Sequence, residues 1–261
     1  MWDYFEPIEG IWYRWDINGA EVWLSRTGDE WRLGVKPIRL SEVCPLAKGP
    51  YPAGGEPDFP LLVTVARSRS IALRPVMPTQ PFLISARNDV SLMGGLETRF
   101  LVDLPASLRF ELATGEFAGE WRPVLLSNTW FGDRMDGSLC LAMPMALDPM
   151  SIEELRTSAS GPRAGGILVR CEILLRNSGK ASLDLSQLAV WSELLPIWNN
   201  AGFLSTCRVR MDGLPDGALR TSVDLDAHEP GAKLLSQARV GQSERLVRRG
   251  VNFLRAITGL R

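Results

Sequence analysis

Few residues in this chain combine a reactive type with a useful spacing. Asp133 and Asp136 flank Arg134-Met135, and Trp130 and Phe131 stand just before them. Two carboxyls about 5–10 Å apart across a sugar are what glycoside hydrolysis needs, with aromatic rings to stack on it. The same residues suit an exposed hairpin loop whose aspartates make Asx turns, and turn chemistry alone accounts for Asp and Gly there. A second set is Trp12, Arg14 and Trp23. An exposed Trp pair beside a guanidinium is a ligand or partner surface. Covered by a second sheet, a C-terminal helix or another subunit, the same pair is packing. Coverage is the expectation, because monomers rarely expose large apolar patches.

Other chemistries lack their residues. The chain has 1 histidine, His228, in the polar run Asp226-Ala227-His228-Glu229-Pro230-Gly231. A Ser-His-Asp triad would have to use it, and no G-x-S-x-G elbow supplies the serine. It reads as a solvated loop residue. Cys44, Cys140, Cys171 and Cys207 are far apart and form no C-x-x-C pair, so neither a zinc ribbon nor a redox pair is indicated. They read as small buried hydrophobes in a reducing cytosol. One His and scattered Cys do not make a metal site. No glycine loop of the phosphate-cradling kinds is present, so neither metal nor cofactor is expected. With 29 basic against 30 acidic residues, the chain lacks the positive field of a nucleic-acid binder.

The elements that must position Trp12, Arg14 and Trp23 can be read directly. Residues 9–17 and 20–26 alternate around Asn18-Gly19. That is the strongest short hairpin signal, because a type I′ turn needs positive φ at both central residues. A two-residue loop fixes the register, with Ile17 opposite Ala20, Trp15 opposite Val22 and Tyr13 opposite Leu24. Ile11, Tyr13, Trp15, Ile17, Val22 and Leu24 then form the core face. Trp12, Arg14, Asp16, Glu21, Trp23 and Ser25 form the other. A third strand is predicted from Trp31 to about Leu40. Residues 44–60 hold 5 prolines and 3 glycines and read as a long loop.

Short apolar runs follow at 61–66, 70–73, 82–86, 98–104, 107–112, 124–126 and 138–143, a spacing that suits sandwiches and barrels. Asp148-Pro149 opens a helical turn or two. Residues 167–176 and 181–191 read as a second hairpin around Asn177-Ser178-Gly179-Lys180, with further strands at 203–211 and 219–225. The last stretch differs in kind. Residues 233–261 carry 7 basic residues and 1 acidic one, which sets a tail of +6 against a body of −7. Leu246, Phe253, Leu254 and Ile257 recur at helical spacing, and Arg245, Arg248, Arg249 and Arg255 fall mostly opposite. This predicts a basic amphipathic helix, suited to packing on the body, on a partner protein or on an anionic membrane surface.

Part of this pattern resembles a known family. Trp121-Arg122-Pro123-Val124-Leu125-Leu126 runs through Gly132 to Gly137-Ser138-Leu139-Cys140. Glu172-Ile173-Leu174-Leu175-Arg176-Asn177 and the stretch from Leu183 to Val190 follow. Together they resemble a prokaryotic family, domain-of-unknown-function family 432, over roughly residues 75–212. Family members commonly have Cys-Arg-Tyr where this chain has Cys140-Leu141-Ala142. The resemblance implies no activity. It points toward membrane-associated partners, because some relatives are encoded beside small-conductance mechanosensitive channels.

The expected fold is mainly β, with two tandem antiparallel β-sandwich-like modules over residues 1–115 and 116–230 and a basic amphipathic helix over 231–261. The N-terminus does not read as a signal peptide, and no apolar run reaches the roughly 18 residues of a spanning helix. A cytoplasmic protein is expected, with peripheral membrane contact through the C-terminal helix. The expected function is a non-enzymatic binding or interaction protein, a regulatory partner of a membrane protein, with a protein partner or a second copy as its ligand and no nucleic acid. Arg245, Arg248, Arg249, Phe253 and Arg255 would supply the partner or membrane surface. The alternative is a carbohydrate-binding or carbohydrate-acting β-sandwich using Trp12, Trp23, Trp130, Asp133 and Asp136.

Overall fold

Strand-length alternation dominates the sequence, and the computed structural model is accordingly mainly β. It describes residues 2–17, 20–37, 48–122, 127–131, 138–147, 167–200, 203–214, 218–240 and 252–253. The first sheet contains β1 (Tyr13–Ile17), β2 (Ala20–Thr27), β3 (Glu30–Pro37), β4 (Lys48–Pro52) and β5 (Leu62–Val65), in the order β4-β1-β2-β3-β5. Its β1–β2 register is the one the two-residue turn dictates, with Tyr13 opposite Leu24, Trp15 opposite Val22 and Ile17 opposite Ala20. Tyr13, Trp15, Ile17, Val22 and Leu24 are all buried. β4 corrects the reading of residues 44–60 as loop throughout. Its prolines are tolerated because β4 is an edge strand and needs donors on one side only. At Gly49, where φ is +121°, a Cβ would stand 2.7 Å from the Arg14 carbonyl oxygen, so only glycine lets β4 close on β1.

Three further sheets follow. β6 (Ile71–Val76), β9 (Ser107–Leu112) and β10 (Phe117–Trp121) form a small one in the order β10-β9-β6. β7 (Phe82–Leu92), β11 (Ser127–Phe131), β12 (Ser138–Leu147) and β14 (Leu183–Val190) form another, β11-β12-β7-β14. The largest holds β8 (Glu97–Pro105), β13 (Leu168–Asn177), β15 (Ile197–Asn200), β16 (Phe203–Ser205), β17 (Arg208–Gly213), β18 (Ala218–Asp224), β19 (Lys233–Ser236) and β20 (Asn252–Phe253). All four contribute to one buried cluster, from Trp15 and Trp31 through Leu73, Ile84 and Leu188 to Val169 and Val209. The three described cysteines, Cys140, Cys171 and Cys207, are buried in the interior as thiols.

Several expectations are corrected. The first sheet and the three-stranded one are antiparallel as expected, but the other two are mixed, since β12 runs parallel to β7 and β13 runs parallel to β16 and β17. β13 and β14 form where expected, but not as a hairpin. β13 pairs with β8 and β17, whereas β14 pairs with β7. β7 and β8 precede residue 115 and pair with strands that follow it. A continuous C-terminal helix is not supported. Lys233–Ser236 is a strand on the edge of β15, and Asn252–Phe253 pairs with β18. Gly241 and Gly250 weaken the local helical periodicity, and residues 241–251 and 254–261 lie outside the described residues. Arg245, Arg248, Arg249 and Arg255 lie outside the described residues, as does the helical turn expected at Asp148-Pro149. Among the described residues no helix is long and apolar enough to cross a membrane.

Candidate functional site

The outward face of the first sheet gathers the residues that the core does not use. Alternation turns Tyr13, Trp15 and Ile17 inward and leaves Arg14 and Asp16 outside. On β2 it leaves Glu21 and Trp23 outside. Register then lines them up. Tyr51 of β4 is opposite Arg14, Arg14 is opposite Trp23, and Trp23 is opposite Gly34 of β3. Asp16 is opposite Glu21 in the next row. Trp12, Arg14, Asp16, Glu21, Trp23 and Tyr51 are each half-buried.

Arg14 sits between the two carboxylates. Its Nε donates to Asp16 Oδ1 at 2.7 Å, and its Nη2 lies 2.9 Å from Glu21 Oε1. Tyr51 donates its hydroxyl to the other Asp16 oxygen. Trp23 donates Nε1–H to Glu21 Oε2 at 3.3 Å. Each carboxylate therefore holds one face of the guanidinium and one neutral donor. Desolvation pulls the Arg14 pKa down, but the hydrogen bond to Asp16 and the charges of Asp16 and Glu21 outweigh it and hold the group above its ordinary value. Desolvation, then the hydrogen bond to Asp16 and its charge, push Tyr51 up to about 12. Its phenol stays protonated through the physiological range and serves as a fixed donor.

Part of the cover on this face comes from the chain's own proline-rich segment. Phe59 packs edge-on against Trp23 with ring centroids 6.4 Å apart, and Arg14 lies 5.8 Å from the centroid of the Trp23 ring. Gly34 makes the room. A Cβ there would stand 2.6 Å from both Phe59 and Leu61. Arg14 and Trp23 are thus brought together on one face, and Trp12 stands half-buried just before β1, its carbonyl accepting the Ala53 N–H. Trp130 is in β11, in a different sheet, opposite Leu139. Asp133 and Asp136 lie outside the described residues, and Phe253 is placed only by its backbone pairing with Ala218.

Sequence reasoning missed Tyr51, Gly34 and Phe59, since an edge strand and its following loop carry no local periodicity. It also misplaced His228. The imidazole is half-buried and stacks on Trp198 at 4.0 Å, nearly parallel, with Nδ1 3.1 Å from the Leu225 carbonyl. The pairing of β15 with β19 and the hydrogen bond from Asn200 of β15 to Glu229 bring Trp198 to that loop.

A family model described as "Protein of unknown function (DUF432)" matches residues 1–255. The chain belongs to the DUF432 family. The match extends well beyond the central stretch that carries the sequence resemblance, and it takes in every strand from β1 to β20. The outer face of the first sheet therefore lies inside the DUF432 unit. No curated protein and no solved structure matches the chain.

Proposed function

We propose that this DUF432 protein is a non-enzymatic binding protein that takes a protein partner on the outer face of its first sheet. The observation that carries the reading is the row Tyr51–Arg14–Trp23, fixed by Asp16 and Glu21. Trp, Tyr and Arg are the residues that dominate interface energetics, especially where they are held rigid before the partner arrives. Here the holding bonds are already made within the sheet. The thiols argue in the same direction. Burial pushes Cys140 up to about 11 and raises Cys171 further, so neither is poised as a nucleophile. The family resemblance directs the search for the partner to membrane proteins first.

The carbohydrate reading is weaker on this face. The Trp23 ring is flanked by Phe59 and Arg14, and its N–H is committed to Glu21, which leaves little free face for a sugar. The test is capture from the native host with the wild-type chain, with the double variant Arg14→Ala/Trp23→Ala, and with Arg176→Ala as a distant surface control. Proteins retained by wild type and control should be lost from the double variant while its thermal transition remains cooperative. Retention by all three refutes the assigned surface. A glycan array signal that Trp23→Ala abolishes would instead establish the carbohydrate reading.

A further inference from the structure

The free edge of the first sheet has the features of a seam. Among the described residues, β5 pairs with β3 on one side and with no strand on the other. Leu62 is 46% exposed, Val63 55% and Val65 75%. Edge strands are normally blunted by an inward charge, a proline or a bulge. Leu62-Val63-Thr64-Val65 contains none of these. The neighbouring strand β10 lies beneath β5 rather than beside it. Leu62, on the core face with Thr64, reaches the position a Cβ of Gly119 would fill, and Phe117 of β10 is itself exposed.

The direction of the free groups follows from the β3 pairing. Ala66 donates its N–H to the Asp29 carbonyl at 2.8 Å. Even-numbered residues of β5 therefore face β3, and Val63 and Val65 turn their N–H and C=O toward the open edge. The flanks add charge. Glu56 and Asp58 precede the strand, Arg67 and Arg69 follow it, and all four are exposed. Asp58, Arg67 and Arg69 make no ion pair with any described residue.

We propose that β5 pairs antiparallel with the β5 of a second copy of this chain about a two-fold axis at Thr64. In that register Val63 of one copy is opposite Val65 of the other, twice, and each pair exchanges both backbone hydrogen bonds. Four valines line up on the outer face. Reversal of direction carries each acidic flank to the other copy's basic flank, whereas a parallel pairing would set like charges together. The contact is isologous and closed, so it ends at two copies. The first sheet becomes one continuous sheet across the seam. This inference does not depend on the binding role assigned to Arg14 and Trp23.

The test is the mass of the full chain in solution, by light scattering or sedimentation equilibrium at micromolar concentration. Wild type should show twice the chain mass of 28.9 kDa. Val63→Lys/Val65→Lys, which touches only exposed positions, should halve that mass with an unchanged circular dichroism spectrum. Thr64→Cys tests the register. The axis sets residue 64 opposite itself in a non-hydrogen-bonded pair, where Cα atoms stand about 4.5 Å apart, within disulfide range. Mild oxidation should convert most of Thr64→Cys, and none of the wild type, to a covalent dimer. A monomeric wild type, a lysine double variant that keeps the doubled mass, or Thr64→Cys that fails to cross-link would each overturn the proposal.

Discussion

Asn177 is the residue on which the turn between two sheets depends, and replacing it gives a quantitative test of the architecture. β13 ends at Asn177 in the largest sheet, and β14 begins at Leu183 in another. The side chain, 3% exposed, spans the change of sheet. Its amide donates to the Leu92 and Ala181 carbonyls, both at 2.8 Å, and its oxygen accepts the Gly179 N–H at 3.0 Å. A net hydrogen bond is worth about 0.5–1.5 kcal/mol, so Asn177→Ala should cost about 3 kcal/mol, and more if the Leu92 carbonyl is left unpaired. In a chain of this size that lowers the melting temperature by about 6–12 °C.

Asn177→Asp separates the three bonds. It keeps the acceptor for Gly179 but turns a carboxylate toward two carbonyl oxygens. That site favours the protonated acid, so the folded pKa rises above its unfolded value. The variant's stability is then highest below the unfolded pKa and is lost as pH rises through the folded one. At neutral pH Asn177→Asp should be less stable than Asn177→Ala, and acidification should close the gap. Urea unfolding monitored by tryptophan fluorescence measures both. A loss below about 1 kcal/mol in Asn177→Ala would refute the assigned role, as would an Asn177→Asp variant insensitive to pH.

The outer face of the first sheet gives two more predictions. Tyr51 is pushed up to about 12, so the tyrosinate absorbance titration should show a late phase that Tyr51→Phe removes. Its folded pKa is raised, so its contribution to stability is complete below the unfolded value of about 10 and is lost as pH rises through about 12. Gly34→Ala should push Phe59 and Leu61 off β3 and increase acrylamide quenching of Trp23. The cost should be only about 1 kcal/mol, because the atoms met are side-chain ends that can shift. Gly54→Ala, where a Cβ meets nothing within 4 Å, should leave the quenching unchanged.

What could be read from the sequence depended on how locally each feature is encoded. The β1–β2 hairpin needs only Asn18-Gly19 and alternation, so its register and both faces follow from the residues. Arg14, Asp16, Glu21 and Trp23 are legible as one face for the same reason. Tyr51 is not, because β4 has no pattern of its own and becomes a strand only against the edge of β1. The β13–β14 error has a similar origin. Asn-Ser-Gly-Lys between two apolar runs signals a reversal, but a reversal within one sheet and a step between two sheets share the same turn residues. Asn177 decides the matter through Leu92, which is 85 residues away. The parallel pairs β7–β12 and β13–β17 leave no local trace either, because their partners are joined only by long connections.

The charge asymmetry between body and tail has a structural expression in the residues that begin the tail. Lys233 meets Asp3 at 2.9 Å, and the hydrogen bond and charge of Lys233 hold Asp3 below the usual carboxylate range. Both groups are well exposed, so solvent screens this pair and it fixes little. Arg239 is different. Its side chain is 16% exposed and that of Glu120 19%, at a separation of 2.6 Å, and Arg239 also donates to the Met77 carbonyl. Ser236 donates to the Pro75 carbonyl at 2.6 Å. The tail through Val240 is therefore fastened to β6 and β10 by a half-buried charge and backbone acceptors, not by the long-range attraction of opposite net charges. A structural fastening of this kind withstands salt, whereas a purely electrostatic one does not.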